Sequence, residues 1–243
     1  MANHQRLDNV THQNVKVNTA HHPNMLDTDS YARVVLSELA FAQSEYPLFL
    51  RKNGETGQFE IIAMLGLNEQ ENLFVDAAGW HAQYIPLSIQ LRPFLIGFQD
   101  TDNSHPTVHI DMDSPRISET QGEQIFLAQG GQSPYLQKIN SILQALHEGL
   151  PQTDTFANLL QQESLIEPVS LNIELNNGEK LSVGSLYTIH EENVAQLDKE
   201  ALGRLHEHGF LSATYMMIAS LQNVTKLIER KNQSDVSATV TQQ

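Results

Sequence analysis

A histidine and an aspartate stand two positions apart in the stretch TVHIDMD, as His109 and Asp111. Apolar and polar residues alternate here, which predicts a strand with both side chains on one face. This spacing is the near half of the His-x-Asp…His ligand set of non-haem iron oxygenases, so the chemistry it could support is iron-dependent oxidation. Arg92 could hold a carboxylate cosubstrate. The candidates for the distal ligand are His147, His190, His206 and His208.

The same stretch also has a purely structural interpretation, as a polar sheet face on which Asp113 caps the turn at Ser114 and Pro115. A three-residue pattern is weakly specific in a chain with 11 histidines, and His105 lies just before it. The oxygenase motif is followed by a long series of strands, whereas a helix is predicted next here. The sequence therefore favours the structural interpretation and no cofactor, with iron as the alternative.

The only tryptophan, Trp80, lies in the stretch AAGWHAQY, four positions before Tyr84. Together with Arg92, these rings could form a stacking platform for a small molecule. The alternative is a corner between two strands, in which Gly79 makes the turn, Asp76 caps it and Trp80 packs as a large side chain. Because tryptophan is heavily buried on average, the corner is the favoured interpretation.

Composition excludes several other classes of function. The chain has no cysteine, which rules out thiolate nucleophiles and cysteine-ligated metals. It has neither a G-x-S-x-G elbow nor a phosphate-binding glycine motif. The formal net charge of −15 disfavours binding to nucleic acid or to anionic membranes. No apolar run approaches the roughly 20 residues of a membrane span, so no membrane insertion is expected.

The elements that would position these residues predict an α+β fold. Short strands with brief turns indicate an antiparallel sheet, built from residues 47–113 and 169–189. Asn177 and Gly178 form a strong hairpin signal within it. Helices are predicted at 134–148 and 198–230, packed on one face of the sheet, and the second ends as a long C-terminal helix.

Both ends of the chain are polar and are predicted to be tails. Residues 1–29 are rich in Asn, His, Gln and Thr and predict a disordered N-terminal tail, and 232–243 predict a flexible C-terminal one. A single domain, residues 30–231, would lie between them. The first 30 residues lack an apolar signal-peptide core, so the expected location is the cytoplasm.

The C-terminal helix carries an apolar stripe with helical spacing. Its first half contains Leu211, Tyr215, Ile218 and Leu221. Such a stripe most often packs into a core, but it could also bind a partner protein. Both uses are compatible in a homodimer.

The order and spacing of several segments resemble the bacterial SapC family of surface-layer gene clusters, which is unrelated to the peptide-transport permease of similar name. The segments are EYPLFLRK, FEIIAMLGLNEQENLFVDAAGWHAQYIPLSIQLRPF, HIDMDSP, GEQIFLAQGGQSPYLQKI and GSLYTIHEENVAQLDKEALGRLHEHGFLSATYMMIASLQNVTKLI. The resemblance covers roughly residues 45–228. None of these segments is diagnostic of a particular chemistry.

The resemblance implies a family without an established catalytic activity. It is tied loosely to surface-layer formation, and its genes often lie near those of TonB-dependent receptors and tryptophan-halogenase-like proteins. We therefore expect a soluble, non-enzymatic accessory protein that binds another protein. The alternatives are the iron oxygenase that uses His109 and Asp111, and a small-molecule binding module centred on Trp80, Tyr84 and Arg92.

Overall fold

The computed structural model describes residues 3–98 and 106–240. The strands in these ranges are β1 (His4–Arg6), β2 (Lys16–Val17), β3 (Tyr31–Arg33), β4 (Leu48–Lys52), β5 (Phe59–Met64), β6 (Val75–Asp76), β7 (Gly79–Trp80), β8 (Phe94–Phe98), β9 (Pro106–Asp111), β10 (Ile117–Ser118), β11 (Glu123–Gln124), β12 (Ile166–Glu174) and β13 (Lys180–Ile189). The α-helices are α1 (Leu39–Ala42), α2 (Leu87–Gln90), α3 (Pro134–Gln162), α4 (Glu191–Ala195), α5 (Lys199–Glu207), α6 (Phe210–Ser220) and α7 (Asn223–Val240). Short 3₁₀ helices span Pro23–Met25 and Leu36–Glu38.

Every strand pairing in the described residues is antiparallel, and helices lie both between the strands and after the last of them along the chain. The predicted α+β class with antiparallel sheets is therefore confirmed. The strands of the predicted single sheet are instead divided among three sheets, since β8 and β9 do not pair with β4 and β5, and β6 pairs only with β7. Strand patterns show which face is buried, but they do not specify the neighbouring strand.

The chain separates into two compact units, where the sequence predicts one domain. The first comprises the described parts of Met1–Asp27, Val75–Trp80 and Leu87–Glu148. The second comprises those of Thr28–Phe74, His81–Pro86 and Gly149–Gln243.

The first unit contains residues 3–27 of the segment predicted to be a disordered N-terminal tail. Here β1 pairs with β9, which also pairs with β8, and β2 lies between β10 and β11. Val17 and Asp27 are fully buried. The segment is ordered because it completes two sheets whose other strands come from residues about a hundred positions later. Its own composition carries no sign of those partners.

The second unit is built on a five-stranded sheet in the order β12-β13-β4-β5-β3. The predicted hairpin at Asn177 and Gly178 joins β12 to β13, and Gly178 has a φ of 85°. Apart from Glu60, β5 is apolar, and it is buried along almost its entire length, as its sequence predicts. The core centres on β4 and β5 and includes Leu48, Phe49, Leu50, Ile61, Ile62 and Ala63.

The helix α3 is longer than predicted, because Gly149 does not end it. A Cβ atom at Gly149 would lie 2.9 Å from the Val35 Cβ, so the glycine allows the helix to pass close to Val35. Pro151 lies inside the helix, where the Thr153 hydroxyl donates to the Gly149 carbonyl at 2.8 Å. The residue type that suits a helix end is used here for close packing instead.

The predicted long C-terminal helix is present as α6 and α7, which Leu221 and Gln222 separate. The helix α6 packs against β4 and β13. The helix α7 reaches Val240, past residue 231 where the predicted domain ends, and the rest of the predicted C-terminal tail lies outside the described residues. None of the described helices is both long and apolar enough to cross a membrane.

Candidate functional site

The Trp80 stretch forms a tight hairpin in the first unit. The strands β6 and β7 pair with Val75 opposite Trp80 and Asp76 opposite Gly79. The Asp76 carboxylate accepts a hydrogen bond from the Ala78 backbone N–H at 2.7 Å, and Gly79 has a φ of 126°. The predicted corner, with Asp76 as its cap, is confirmed. The Trp80 side chain is half-buried at the end of this corner.

A buried ion pair between Asp27 and Arg116 lies in the same unit. The Asp27 side chain is 0% exposed and Arg116 is 2% exposed. The Arg116 Nη2 atom lies 2.8 Å from Asp27 Oδ1 and 2.6 Å from Oδ2. The Arg116 Nη1 atom also donates to the carbonyls of Asn18 and Ala20, at 3.1 and 2.8 Å. One guanidinium thus fixes the path of the N-terminal segment.

Three further side chains gather around this pair, and we call the five together the Asp27 cluster: Asp27, Arg116, His21, Arg92 and Trp80. The His21 Nδ1 atom lies 3.3 Å from Asp27 Oδ2, and the His21 ring meets Trp80 edge-on with centroids 5.4 Å apart. The Arg92 Nη1 atom lies 3.8 Å from Asp27 Oδ1 and donates to the Leu26 carbonyl at 3.1 Å. Two of the predicted ligand-binding residues, Trp80 and Arg92, therefore share one cluster.

The charges of the cluster keep Asp27 ionised. Burial alone would raise the pKa of Asp27, but hydrogen bonds from His21 and Arg116 and the positive charge of Arg116 outweigh it. The pKa therefore lies below its ordinary value. The half-buried Trp80 ring and the partly exposed Arg92 are the surfaces that the cluster could offer a ligand. Ligand binding at Trp80 and Arg92 stays a prediction.

The third predicted ligand-binding residue, Tyr84, belongs to the second unit. Its hydroxyl donates to the buried carboxylate of Glu38 at 2.8 Å, and its ring stacks on Phe41. Its backbone carbonyl accepts a hydrogen bond from the Tyr46 hydroxyl. Burial, followed by the negative charge of Glu38, raises the pKa of Tyr84. These contacts describe a structural tyrosine, whose one hydroxyl proton is already committed.

The histidine and aspartate of β9 lie on one sheet face, as predicted, but the described residues place no complete set of metal ligands around them. Arg6 lies opposite His109 in the register of β1 and β9, and His4 lies opposite Asp111. The Asp111 carboxylate accepts from the Asp113 backbone N–H at 3.1 Å, just before the predicted turn. In the turn at Ser114 and Pro115, the Ser114 hydroxyl accepts from the Arg116 backbone N–H at 3.3 Å, so Ser114 rather than Asp113 caps it. In the described part of the chain, no three His, Asp or Glu side chains are grouped so that they could hold a metal ion. His105 lies outside the described residues.

The ring of His109 covers Gly97 on the neighbouring strand β8. A Cβ atom at Gly97 would lie 2.4 Å from the His109 Cδ2 and Nε2 atoms. A glycine thus makes room for the imidazole, which gives His109 a packing role without a metal.

The predicted partner-binding stripe lies on α6 and in the break after it. The buried face of α6 consists of Phe210, Ala213, Thr214, Met217 and Ser220. The predicted residues lie beside this face: Leu211, Ile218 and Leu221 are half-buried, and Tyr215 is 54% exposed. The stripe is therefore only partly buried within the second unit.

A family model described as SapC matches residues 7–227, nearly the whole chain. The chain belongs to the SapC family. The match includes all members of the Asp27 cluster, the β9 residues and the apolar stripe. The resemblance seen in the sequence is thus confirmed, and it extends further toward the N-terminus than the segments that suggested it. The comparisons with curated proteins and with solved structures give no match.

The sequence did not predict Asp27 and Arg116, the centre of the Asp27 cluster. Asp27 and Arg116 are 89 positions apart, and Asp27 lies in a segment whose composition is typical of disorder. One local signal was present: the segment ends in an aspartate just after two histidines, a Pro-Asn turn and a leucine. Such a turn brings the His21 ring and the His22 N–H onto one Asp27 oxygen. That signal predicts a folded turn, but it does not predict that Arg116 pairs with Asp27.

The packing role of His109 leads to a testable stability effect. Gly97→Ala is expected to lower the free energy of unfolding by about 1–3 kcal/mol, because the new methyl group displaces the imidazole. The measurement is urea unfolding followed by the fluorescence of Trp80, which lies in the same unit. Gly131→Ala is the matched control, since a Cβ atom there meets only Leu127 Cδ1 at 3.7 Å.

A second substitution separates this packing effect from a metal site. The double variant Gly97→Ala with His109→Ala should regain most of the lost stability, because the methyl group then occupies the space of the ring. If the double variant is less stable than Gly97→Ala alone, His109 contributes more than packing. Metal analysis of His109→Ala would then be the next measurement.

Proposed function

We propose that this SapC-family protein is a non-enzymatic accessory protein that works by binding another protein through the apolar stripe of α6. The observation that supports the proposal is the division of the helix surface. One face of α6 is buried in the second unit, while Leu211, Ile218 and Tyr215 lie beside that face and remain partly exposed to solvent. An aromatic side chain that is 54% exposed within an apolar stripe has the character of an interface anchor.

The net charge of the chain narrows the kind of partner. A formal charge of −15 repels acidic surfaces, so a partner with an apolar patch bordered by lysine and arginine fits best. The gene neighbourhoods implied by the family supply the first candidates to test: surface-layer proteins, TonB-dependent receptors and tryptophan-halogenase-like proteins. The oxygenase alternative has no comparable support, because the described residues offer His109 and Asp111 no third ligand.

Photo-crosslinking tests the proposal directly. A benzophenone amino acid is placed at Tyr215 in the full chain, and a matched one at Thr225, which is exposed on α7. In cells that express the chain with each candidate partner in turn, the Tyr215 probe is expected to give one discrete product and the Thr225 probe none. Mass spectrometry then identifies the partner. Equal labelling at both positions, or a product made only of two copies of this chain, overturns the accessory role.

Substitution of the anchor gives an independent expectation. Tyr215→Glu should lower the affinity for the identified partner by about tenfold or more, because loss of an aromatic hot spot costs about 2 kcal/mol or more of binding free energy. The free energy of unfolding should change little, since the ring is mostly in solvent. Surface plasmon resonance with the identified partner measures the first effect and urea unfolding the second. Unchanged affinity would remove Tyr215 from the interface.

A further inference from the structure

A cleft of about 380 Å³ lies in the first unit, and none of its lining residues belongs to the Asp27 cluster. One wall is formed by the last residue of β1, Arg6, together with residues 7–9, and another by Thr107 and Val108 of β9. Leu136 and Asn140 of the first turns of α3 close a third side. This volume falls at the lower end of the range for small-molecule sites, roughly 300–1,000 Å³.

The cleft carries one positive and one negative group on the same short segment. The exposed guanidinium of Arg6 forms no ion pair or hydrogen bond with the side chains that the structure describes. The Asp8 carboxylate is fixed in place, because its Oδ1 atom accepts from the backbone N–H groups of Val10 and Thr11 at 2.9 and 2.7 Å. Two opposite charges that form no ion pair with each other thus line the cleft, and Asp8 Oδ2 also lies 3.6 Å from Nδ1 of the buried His12.

The remaining lining combines an apolar floor with side-chain amides. Phe126 and Leu136 are buried at the floor. The Asn140 amide donates to Gln132 Oε1 at 3.2 Å, and the Asn9 amide donates to the Gly130 carbonyl at 3.2 Å. These bonds hold the amides in place and leave the Asn9 and Asn140 oxygens and the Gln132 nitrogen for a ligand.

We propose that this cleft binds a small zwitterion with an apolar substituent, either a free α-amino acid or a dipeptide. The ligand carboxylate pairs with Arg6, the ammonium group pairs with Asp8, and the side chain lies over the Phe126 floor. A sugar fits less well, because the one aromatic residue of the lining, Phe126, is only 8% exposed and offers no stacking face. The site is independent of the proposed partner-binding stripe, which lies in the second unit.

Four ligands test the proposal on the full chain by isothermal titration calorimetry. They are L-leucine, N-acetyl-L-leucine, L-leucinamide and L-leucyl-L-leucine. Leucine should bind at least about tenfold more tightly than either derivative, since each derivative loses one charge-assisted contact. Comparison of leucine with the dipeptide decides between the two ligand sizes. No binding of leucine or the dipeptide up to about 10 mM, or equal binding of leucine and its two derivatives, overturns the proposal.

Two variants assign the charges to their residues. Arg6→Gln should weaken the binding of leucine by about tenfold and leave the binding of leucinamide unchanged, because only leucine has the carboxylate. Asp8→Asn keeps the oxygen that caps Val10 and Thr11, and it should remove the preference for leucine over N-acetyl-leucine. Lys16→Gln is the control, since this cation lies in the same unit outside the cleft. If Arg6→Gln and Asp8→Asn bind leucine as tightly as the Lys16→Gln control and the wild-type chain, the cleft is not the site.

Discussion

Replacement of Asp27 by asparagine is expected to lower the free energy of unfolding of the first unit by about 3–5 kcal/mol. The substitution removes the only carboxylate bonded to Arg116 in the described residues, and Arg116 is 2% exposed. A buried guanidinium without a counter-charge keeps its full cost of desolvation. The asparagine NH₂ group would also point donors at other donors, because Arg116 and His21 approach both carboxylate oxygens.

Tryptophan fluorescence during urea unfolding measures this loss. Trp80 is the only tryptophan and touches His21 of the Asp27 cluster, so its signal reports on the first unit. Glu119→Gln is the matched control, because this carboxylate is exposed and its neutralisation should change stability by less than about 0.5 kcal/mol. A loss below about 1 kcal/mol for Asp27→Asn would contradict a buried, mutually dependent pair.

A double variant distinguishes loss of the pair from loss of the fold. Asp27→Asn combined with Arg116→Met removes both charges, and it should recover a large part of the stability that the single variant loses. Recovery will be incomplete, since Arg116 also donates to the carbonyls of Asn18 and Ala20. A double variant no more stable than the single one would show that those carbonyl bonds, rather than the ion pair, dominate.

The same pair gives the stability a defined dependence on pH. The pKa of Asp27 is lower in the folded state than its ordinary value of 3.8, so the folded state favours the ionised form. Its contribution is therefore fully present above 3.8 and is lost as the pH falls through the lower folded value. The stability difference between the wild-type chain and Asp27→Asn should therefore shrink as the pH falls below 3.8.

Phe156→Ala is expected to cost a similar amount, about 3–5 kcal/mol, in the second unit. Phe156 is 0% exposed on α3, and its ring meets the Phe210 ring of α6 edge-on with centroids 5.3 Å apart. The substitution removes the buried ring, its edge-to-face contact and much of the support for the first turn of α6. Urea unfolding followed by circular dichroism measures the loss of this helical unit.

Phe41→Ala is the matched control for Phe156→Ala. Phe41 is 61% exposed and stacks on Tyr84 with centroids 5.4 Å apart, so its removal leaves no cavity. The expected loss is below about 1 kcal/mol. Equal losses for the two phenylalanines would contradict the assignment of Phe156 to the core. They would also weaken the argument that α6 is held by one face only.

The sequence by itself determined the local elements of this protein. Alternation with a period of two and the Asn177-Gly178 turn define β12 and β13, because side-chain direction in a strand and positive φ at a turn are local properties. The Asp76-Gly79 corner follows from the same kind of chemistry. Order and spacing along the chain also sufficed for the family. None of this required knowledge of which distant segments meet.

The tertiary structure alone decided the Asp27 cluster and the use of α6. Residues 3–29 contain few apolar side chains, so their order depends on Arg116 and on strands β9, β10 and β11, which composition cannot reveal. The helix α6 has apolar residues on both sides, with Met217 on one and Tyr215 on the other. Burial is a property of what packs against a surface. The sequence could therefore predict an apolar stripe, while only the packing of α6 on β4 and β13 decided which side remained exposed.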